Sequence, residues 1–191
     1  MNLIYYNSSV AQLCKKNGII KAVLLNYIYN YHKTNARKGA GHPAQISLAE
    51  FRYQYLHEDK ALWSESYIHE MLKALENQKH LKVTRDERNR PVYSVADQVA
   101  TDLKRKDATW IGFDLGLACA SNIYIAIIHR FLANVIEKSP DHVAYSLNVK
   151  EIAETNCISQ AEIYRVIKNL VEIRIFKKVK SPVRTKLRGV S

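Results

Sequence analysis

Apolar residues recur at helical spacing in two stretches that lie far apart in the chain. The first is LWSESYIHEMLKALENQKHLKV, which begins at Leu62, and the second is ISQAEIYRVIKNLVEIRIF, which begins at Ile158. The matching apolar positions are Ile68, Leu72 and Leu75 (with Met71) in the first stretch and Ile163, Ile167 and Leu170 in the second, at a constant offset of 95. Each set forms one face of a helix. We therefore predict two amphipathic helices capped by Ser64 and Ser159.

The segments around these helices also repeat. Each half has an extended segment, a long apolar helix, a capped helix, the amphipathic helix and then a β-hairpin or extended basic segment. In the first half, Ser8 or Ser9 is expected to cap a short helix that Gly18 ends, and an apolar helix runs from Ile19 to about His32. Capping boxes are predicted at Ser47 with Glu50, at Asn148 with Glu151 and at Ser159 with Glu162.

This order predicts the fold class. Three helices followed by a two-stranded hairpin are the arrangement of a winged helix, and the short link between its second and third helices makes a helix-turn-helix. We predict a mainly α chain with short β-hairpins, built from two tandem winged-helix domains. Their bounds are 1–97 and 110–191, and the polar segment 98–109 is predicted to be a linker.

The fold class points to DNA. When one face of the third helix packs on the other two, its opposite face is free to enter the major groove, where base edges are displayed. The adjoining hairpin can then reach phosphates. The chain has 29 Lys and Arg against 18 Asp and Glu, a net charge of +11, which favours a polyanionic partner. Between Arg174 and Arg188 there are seven basic residues and no acid.

The expected contacts with double-stranded DNA come mainly from the second half. Gln, Arg and Asn side chains form paired hydrogen bonds with purine edges, and lysines bind phosphates. The residues predicted there are Gln160, Tyr164, Arg165, Lys168, Asn169, Lys177, Lys178, Lys180, Arg184 and Lys186. Those predicted in the first half are Ser66, Tyr67, Lys73, Asn77, Arg85, Arg88 and Arg90.

Interpretations without DNA contact stay open for these residues. The helix positions can equally form a solvated polar surface. Glu65, Glu70 and Glu76 would repel phosphate, which makes the first helix the weaker candidate. Asp86 and Glu87 partly cancel the arginines of the first hairpin, so its tip can equally be a solvated turn.

The first half resembles a known family. The segments LIYYNSSVAQLCKKNGIIKAVLLNYIYNYHK and LWSESYIHEMLKALENQKHLKV are similar to the winged-helix domain that begins replication initiators and replisome organisers of phages, plasmids and related mobile elements. The resemblance covers about residues 3–95. It implies binding to origin DNA, often as repeated copies on repeated sites, and sometimes recruitment of a helicase loader. In such proteins the second domain is often a different helical module, so recruitment is not expected here as firmly as origin or operator binding.

Other classes of protein find little support in the sequence. Cys14, Cys119 and Cys157 form no CxxC pair, and each is expected to be a small buried residue. No metal-binding, Walker or GxSxG motif is present, so we expect no catalysis, no metal and no cofactor. The sequence has no apolar run of transmembrane length and no signal-peptide pattern, so we expect a cytoplasmic protein without membrane contact.

The preferred function is replication initiation for a mobile element, with duplex DNA and a replication protein as partners. The first alternative is a transcription regulator, a repressor with the same fold acting as a homodimer. The second alternative is a protein-interaction module that mimics or blocks a replication or defence factor. Fold alone does not separate these functions.

Overall fold

The computed structural model describes residues 3–37, 48–138, 145–179 and 186–189. These residues are mainly helical with short antiparallel strand pairs, which confirms the coarse fold class. Contacts between residues divide the chain into an N-terminal unit, residues 5–111, and a C-terminal unit, residues 112–191 together with residues 1–4.

The first ten elements of the chain end with a short helix after a hairpin. They are β1 (Leu3–Asn7), α1 (Ser8–Leu13), α2 (Gly18–Arg37), α3 (Leu48–Gln54), β2 (Leu56–His57), β3 (Lys60–Ala61), α4 (Glu65–Asn77), β4 (Leu81–Arg85), β5 (Pro91–Val95) and α5 (Asp97–Lys104). Strands β4 and β5 form an antiparallel hairpin in which Leu81 is opposite Val95 and Arg85 is opposite Pro91.

The later elements repeat much of that order. They are β6 (Trp110–Asp114), α6 (Leu115–Ala120), α7 (Ile123–Glu137), β7 (Tyr145–Ser146), α8 (Val149–Asn156), α9 (Gln160–Glu172), β8 (Phe176–Val179) and β9 (Lys186–Gly189). Strand β9 lies between β7 and β8 and is antiparallel to both. Strand β1 pairs with β6, and the boundaries of the two units fall within these strands.

Helices α4 and α9 begin in the same way and bury the same face. The Ser64 and Ser159 hydroxyls each accept a hydrogen bond, at 3.2 Å, from the backbone N–H three residues later. The residues buried at equivalent positions are Ile68, Met71 and Leu75 in α4 and Ile163, Val166 and Leu170 in α9. Ile167 is only half-buried, so Val166 takes the place predicted for it. Burial of each such side chain stabilises the fold by about 1.5–3 kcal/mol.

The two helices also end in the same way. Lys79 and Arg174, 95 positions apart, have positive φ angles of 58° and 63°. The next N–H reaches back to the helix: His80 donates to the Leu75 carbonyl at 2.9 Å, and Ile175 donates to the Leu170 carbonyl at 3.0 Å. This left-handed ending satisfies free carbonyls and turns the chain. In both copies it leads the chain from the helix into the first strand of the hairpin.

The start of the chain differs in detail from the prediction. Asn7, rather than Ser8 or Ser9, caps α1 by accepting a hydrogen bond from the Val10 N–H at 3.1 Å. Asp114 caps α6 in the same way. Gly18 begins α2 instead of ending α1. A Cβ atom at Gly18 would lie 2.0 Å from the Ala11 carbonyl oxygen, so glycine is needed for the close approach of α1 and α2.

Two other segments also differ from the prediction. Residues 98–109 were predicted to be a linker, but Asp97–Lys104 form α5, whose buried Val99 and Leu103 lie one turn apart, and α5 packs on α1. This apolar pair, hidden among charged residues, makes the segment part of the N-terminal unit. The long apolar helix of the second half, predicted from the segment 119–138, begins only at Ile123, where the Asn122 side chain caps it, and a separate short helix, α6, precedes it.

Lys21 ties the helices of the N-terminal unit together. Its side chain is only 4% exposed, and Nζ donates to the Cys14 carbonyl oxygen at 3.4 Å and to the Gln78 Oε1 atom at 3.0 Å. Burial lowers the pKa of this ammonium group. The contact joins the end of α1 to the end of α4 and so helps to fix the position of the hairpin that follows α4.

Lys79→Gly tests the left-handed helix ending. Because glycine adopts positive φ without the steric cost that lysine bears, we expect the free energy of unfolding to rise by about 1 kcal/mol in urea titrations followed by circular dichroism. Lys73→Gly is the matched control, since it removes the same charge inside α4 and should lower stability by about 1 kcal/mol. Equal effects of the two variants would contradict the assigned ending.

Candidate nucleic-acid interface

The polar surface of α9 carries five of the residues predicted to contact DNA. Gln160, Tyr164, Arg165 and Lys168 are exposed, and Asn169 is half-buried. The Tyr164 ring is 61% exposed. The burial of Ile163, Val166 and Leu170 determines where these five residues lie, because a helix that buries one face exposes the opposite one.

The rest of the C-terminal unit positions α9. The helix packs on α7 and α8. Only Cys157, Ile158 and Ser159 separate α8 from α9. Cys157 has a φ of 57°, and Ile158 is buried, so a left-handed residue and an apolar anchor set the angle between the two helices. The connection between these two helices is therefore only three residues long.

The cations of α9 are paired with acids on the same helix. The Arg165 guanidinium donates to both carboxylate oxygens of Glu162, and Lys168 Nζ lies 3.8 Å from Glu172 Oε1. The hydrogen bonds that Arg165 donates to Glu162, together with the negative charge of that carboxylate, raise the pKa of Arg165. Exposed pairs of this kind contribute only about 0–1 kcal/mol, so a stronger anion can displace the carboxylate. Sequence reasoning missed Glu162 as a partner, although the spacing of three residues to Arg165 was a usable signal.

The basic hairpin after α9 follows directly from the left-handed turn at Arg174. In its register Lys177 is opposite Arg188, and Val179 is opposite Lys186. Lys178 is opposite Leu187. The predicted contacts Lys180 and Arg184 lie outside the described residues. The described positions bring Lys177, Lys178 and Lys186 together in one two-stranded ladder.

The surface of α4 differs in charge. Ser66, Lys73 and Asn77 are exposed, whereas Tyr67 is half-buried. The Ser66 hydroxyl lies 3.1 Å from the Ser64 hydroxyl, and so belongs to the helix cap. The exposed acids of this helix are Glu65, Glu70 and Glu76. Of these, Glu65 pairs with Arg52 at 3.4 Å. The link from α3 to α4 is longer than a helix-turn-helix turn and contains β2 and β3.

Asp86 organises the tip of the β4–β5 hairpin. Its carboxylate accepts hydrogen bonds from the N–H groups of Arg88 at 3.0 Å and Arg90 at 2.7 Å, and also from the Arg90 guanidinium at 3.0 Å. These contacts, led by the Arg90 N–H, lower the pKa of Asp86. Asn89 completes the turn with a φ of 59°.

The three arginines of this tip are therefore not equivalent. Arg85 donates to the Asn89 carbonyl oxygen at 2.9 Å, and Arg90 is held by Asp86. Arg88 is exposed, and its side chain forms no ion pair among the described residues. Arg88 is thus the arginine of the first hairpin that is best placed to meet an external anion.

A cleft of about 530 Å³ lies between α4 and the hairpin. Its polar walls include His69, Glu70, Lys73 and Glu76 from α4, and Tyr93 stands on the hairpin side. A ring nitrogen of His32 on α2 contacts the Tyr93 carbonyl oxygen, which fixes β5 against the helices. Sequence reasoning missed Tyr93. The alternation of PVYSV, with Val92 buried, was the signal that places Tyr93 on the other face of the strand.

No protein-family model, curated protein or solved structure matches the chain. The resemblance to replication initiators therefore stays a prediction. Within the described residues, no group of three or more His, Cys, Asp or Glu side chains is arranged to hold a metal ion. None of the helices in the described ranges is both long enough and apolar enough to cross a membrane.

The Asp86 contacts predict a pH effect at the hairpin tip. A lowered pKa means that the ordered tip is fully present above the usual carboxyl range and is lost as the pH falls through the lowered value. We expect the backbone amide NMR signals of Arg88 and Arg90 to titrate together, with a midpoint below that of an ordinary aspartate. Asp86→Asn should abolish this titration and Glu87→Gln should not. A midpoint at or above the ordinary value would contradict the assigned contacts.

Proposed function

We propose that the chain is a sequence-specific double-stranded DNA-binding protein built from two tandem winged-helix units. In the C-terminal unit, α9 serves as the recognition helix and β8–β9 as the wing. If the protein acts on the DNA of a mobile element, we expect it to act in the cytoplasm.

One observation carries this proposal. The exposed face of α9 bears Gln160, Arg165 and Lys168, and the chain then turns at Arg174 into a ladder that contains Lys177, Lys178 and Lys186. Amide and guanidinium groups on a helix can read base edges, while lysines on an adjoining ribbon bind phosphates. The order α7, β7, α8, α9, β8, β9, with β9 between β7 and β8, supports the winged-helix assignment.

The C-terminal unit is preferred over the N-terminal unit on grounds of charge. The acids of α9, Glu162 and Glu172, are each paired with a cation of the same helix. On α4, Glu70 and Glu76 are exposed, and neither forms an ion pair among the described residues. Unpaired carboxylates repel phosphate, so α4 is the weaker duplex contact.

Replication initiation is the role we favour. The resemblance of residues 3–95 to initiator domains supports it, and so does the internal repeat, because two reading units in one chain suit origins made of repeated sites. A transcription regulator would use the same surface. The two roles predict different targets, since direct repeats beside an AT-rich tract are typical of an origin, whereas a single palindrome is typical of a dimeric repressor.

A protein-interaction role is the second candidate for the N-terminal unit alone. The exposed Glu70 and Glu76 and the cleft beside them favour it, because such a surface suits a protein partner better than DNA. This role includes the idea of a module that blocks a replication or defence factor, and it is compatible with duplex binding by α9.

Binding to labelled duplex as a function of salt tests the proposed function. We expect fluorescence anisotropy to show affinity that falls steeply with salt, with a slope of about −0.9 for each phosphate contacted. Lys177→Ala combined with Lys178→Ala should weaken binding to every sequence, whereas Lys15→Ala with Lys16→Ala, which removes the same charge from exposed positions elsewhere, should not. Absence of binding, or binding indifferent to salt, would refute the proposal.

Glu162→Gln tests whether Arg165 is the residue that reads DNA. The variant releases the guanidinium from its carboxylate and removes a negative charge, so duplex affinity should rise about two- to fivefold. Arg165→Ala should instead reduce discrimination between a selected site and a random duplex.

Glu65→Gln on α4 is the matched control, because it releases Arg52 from a similar exposed pair. It should leave duplex affinity unchanged. If both glutamine variants raise affinity equally, the effect is one of net charge and α9 has no special role.

A further inference from the structure

A second polar cleft lies in the N-terminal unit, away from α4 and its hairpin. Its volume is about 380 Å³, near the lower end of the range for small-ligand sites. One wall is a polar stripe on α2 formed by Asn26, Tyr29, Asn30 and Lys33. The other wall comes from the end of α5 and from Trp110 at the start of β6.

The polar stripe is unusual for its helix. Its members are spaced at intervals of three, one and three residues, so they share one face, while the residues between and before them, such as Leu25 and Ile28, are buried. Packing of α2 explains the apolar face. Packing does not explain why the other face carries two amides, a phenol and an ammonium group in one row.

Trp110 presents a large aromatic surface to this cleft. Its side chain is 40% exposed, whereas the other tryptophan, Trp63, packs on Phe51 and Tyr55. No aromatic ring of the described residues packs on Trp110. An exposed tryptophan beside a groove is a platform on which a flat apolar ring can stack.

The charge of the cleft is positive. Lys33 and Lys104 are exposed, and neither forms an ion pair among the described residues. No acid of the described ranges lines this cleft, in contrast to the cleft between α4 and the hairpin, which contains Glu70 and Glu76. The two ammonium groups therefore favour an anionic ligand.

The two asparagines offer a ligand both a hydrogen-bond donor and a hydrogen-bond acceptor. Asn30 Nδ2 donates to Asn26 Oδ1 at 2.9 Å. The pair thereby leaves the Asn26 amide N–H groups as donors and the Asn30 carbonyl as an acceptor. A donor and an acceptor side by side match the edge of a nucleobase.

We propose that this cleft binds an unpaired nucleotide of single-stranded DNA. The base stacks on Trp110, its edge meets Asn26 and Asn30, and the flanking phosphates lie near Lys33 and Lys104. Stacking on an aromatic ring combined with lysines along the backbone is the general means by which proteins hold single strands. The cleft belongs to the N-terminal unit and α9 belongs to the C-terminal unit, so this proposal does not depend on duplex binding by α9.

The direct test uses the full chain labelled with fluorotryptophan. Its two tryptophans give two fluorine NMR signals, which Trp110→Phe assigns. A short oligothymidylate should shift the Trp110 signal and leave the Trp63 signal in place. If the Trp110 signal does not move at saturating oligonucleotide, or if both signals move equally, the proposal is overturned.

Affinities of variants test the role of each group. Trp110→Ala should weaken binding of oligothymidylate about tenfold, because removing the aromatic ring on which one base stacks reduces affinity by about this factor. Trp110→Phe keeps an aromatic ring and should restore most of the affinity. Lys104→Ala should reduce the slope of log affinity against log salt concentration by about 0.7, the value for one phosphate contact of a single strand. Lys106→Ala, an exposed neighbour outside the cleft, is the control and should bind like the parent.

Three further measurements distinguish the source of the ligand. Duplex binding should be unchanged in Trp110→Ala, so failure of this proposal and failure of duplex binding by α9 are separable. Thymidine monophosphate should bind far more weakly than the oligonucleotide. Oligouridylate should bind more weakly than oligothymidylate, and equal affinity for the free nucleotide, or binding of oligouridylate as tight as that of oligothymidylate, would overturn the assignment to single-stranded DNA.

Discussion

The arrangement of each unit depends on one amphipathic helix whose two ends are fixed by local hydrogen bonds. A serine cap sets where α4 and α9 begin, and a left-handed residue sets where they end. Between these points the burial of an apolar stripe on one face determines which residues are exposed on the other. The left-handed ending then leads the chain into the hairpin. A polar helix face and an adjoining ribbon are therefore consequences of packing, and both copies share them.

The copies differ in what the exposed face carries, and the functions that we propose for them rest on this difference. On α9 the acids are paired with cations of the same helix, and the following ladder is basic. On α4, Glu70 and Glu76 stand beside a cleft, and the tip of the hairpin is held by Asp86. We interpret the first as the duplex-binding surface. The N-terminal unit offers other surfaces, and its α2–α5 cleft is the one that best matches a single strand.

The sequence predicted what short-range patterns determine. The caps at Ser64 and Ser159, the β4–β5 hairpin and most of the buried stripes follow from spacing along one helix or strand, and these predictions are confirmed. It missed what depends on contacts between distant segments. Val99 and Leu103 are an apolar pair in a charged segment, and only the packing of α5 on α1 explains them. Gly18 was interpreted as a helix end because its close approach to Ala11 depends on the packing of two helices, which a local sequence pattern does not reveal. Trp110 and the α2 stripe lie about 80 residues apart, so no local pattern joins them.

Amide hydrogen exchange of the full chain, with and without a duplex that contains its selected site, tests the central claim most directly. The account predicts that duplex slows exchange in α9 and in β8, at Gln160–Glu172 and Phe176–Val179, more than in α4 and the β4–β5 hairpin. Protection confined to α4 and its hairpin, or protection of neither unit at concentrations that saturate binding, would contradict the assignment of α9 as the recognition helix.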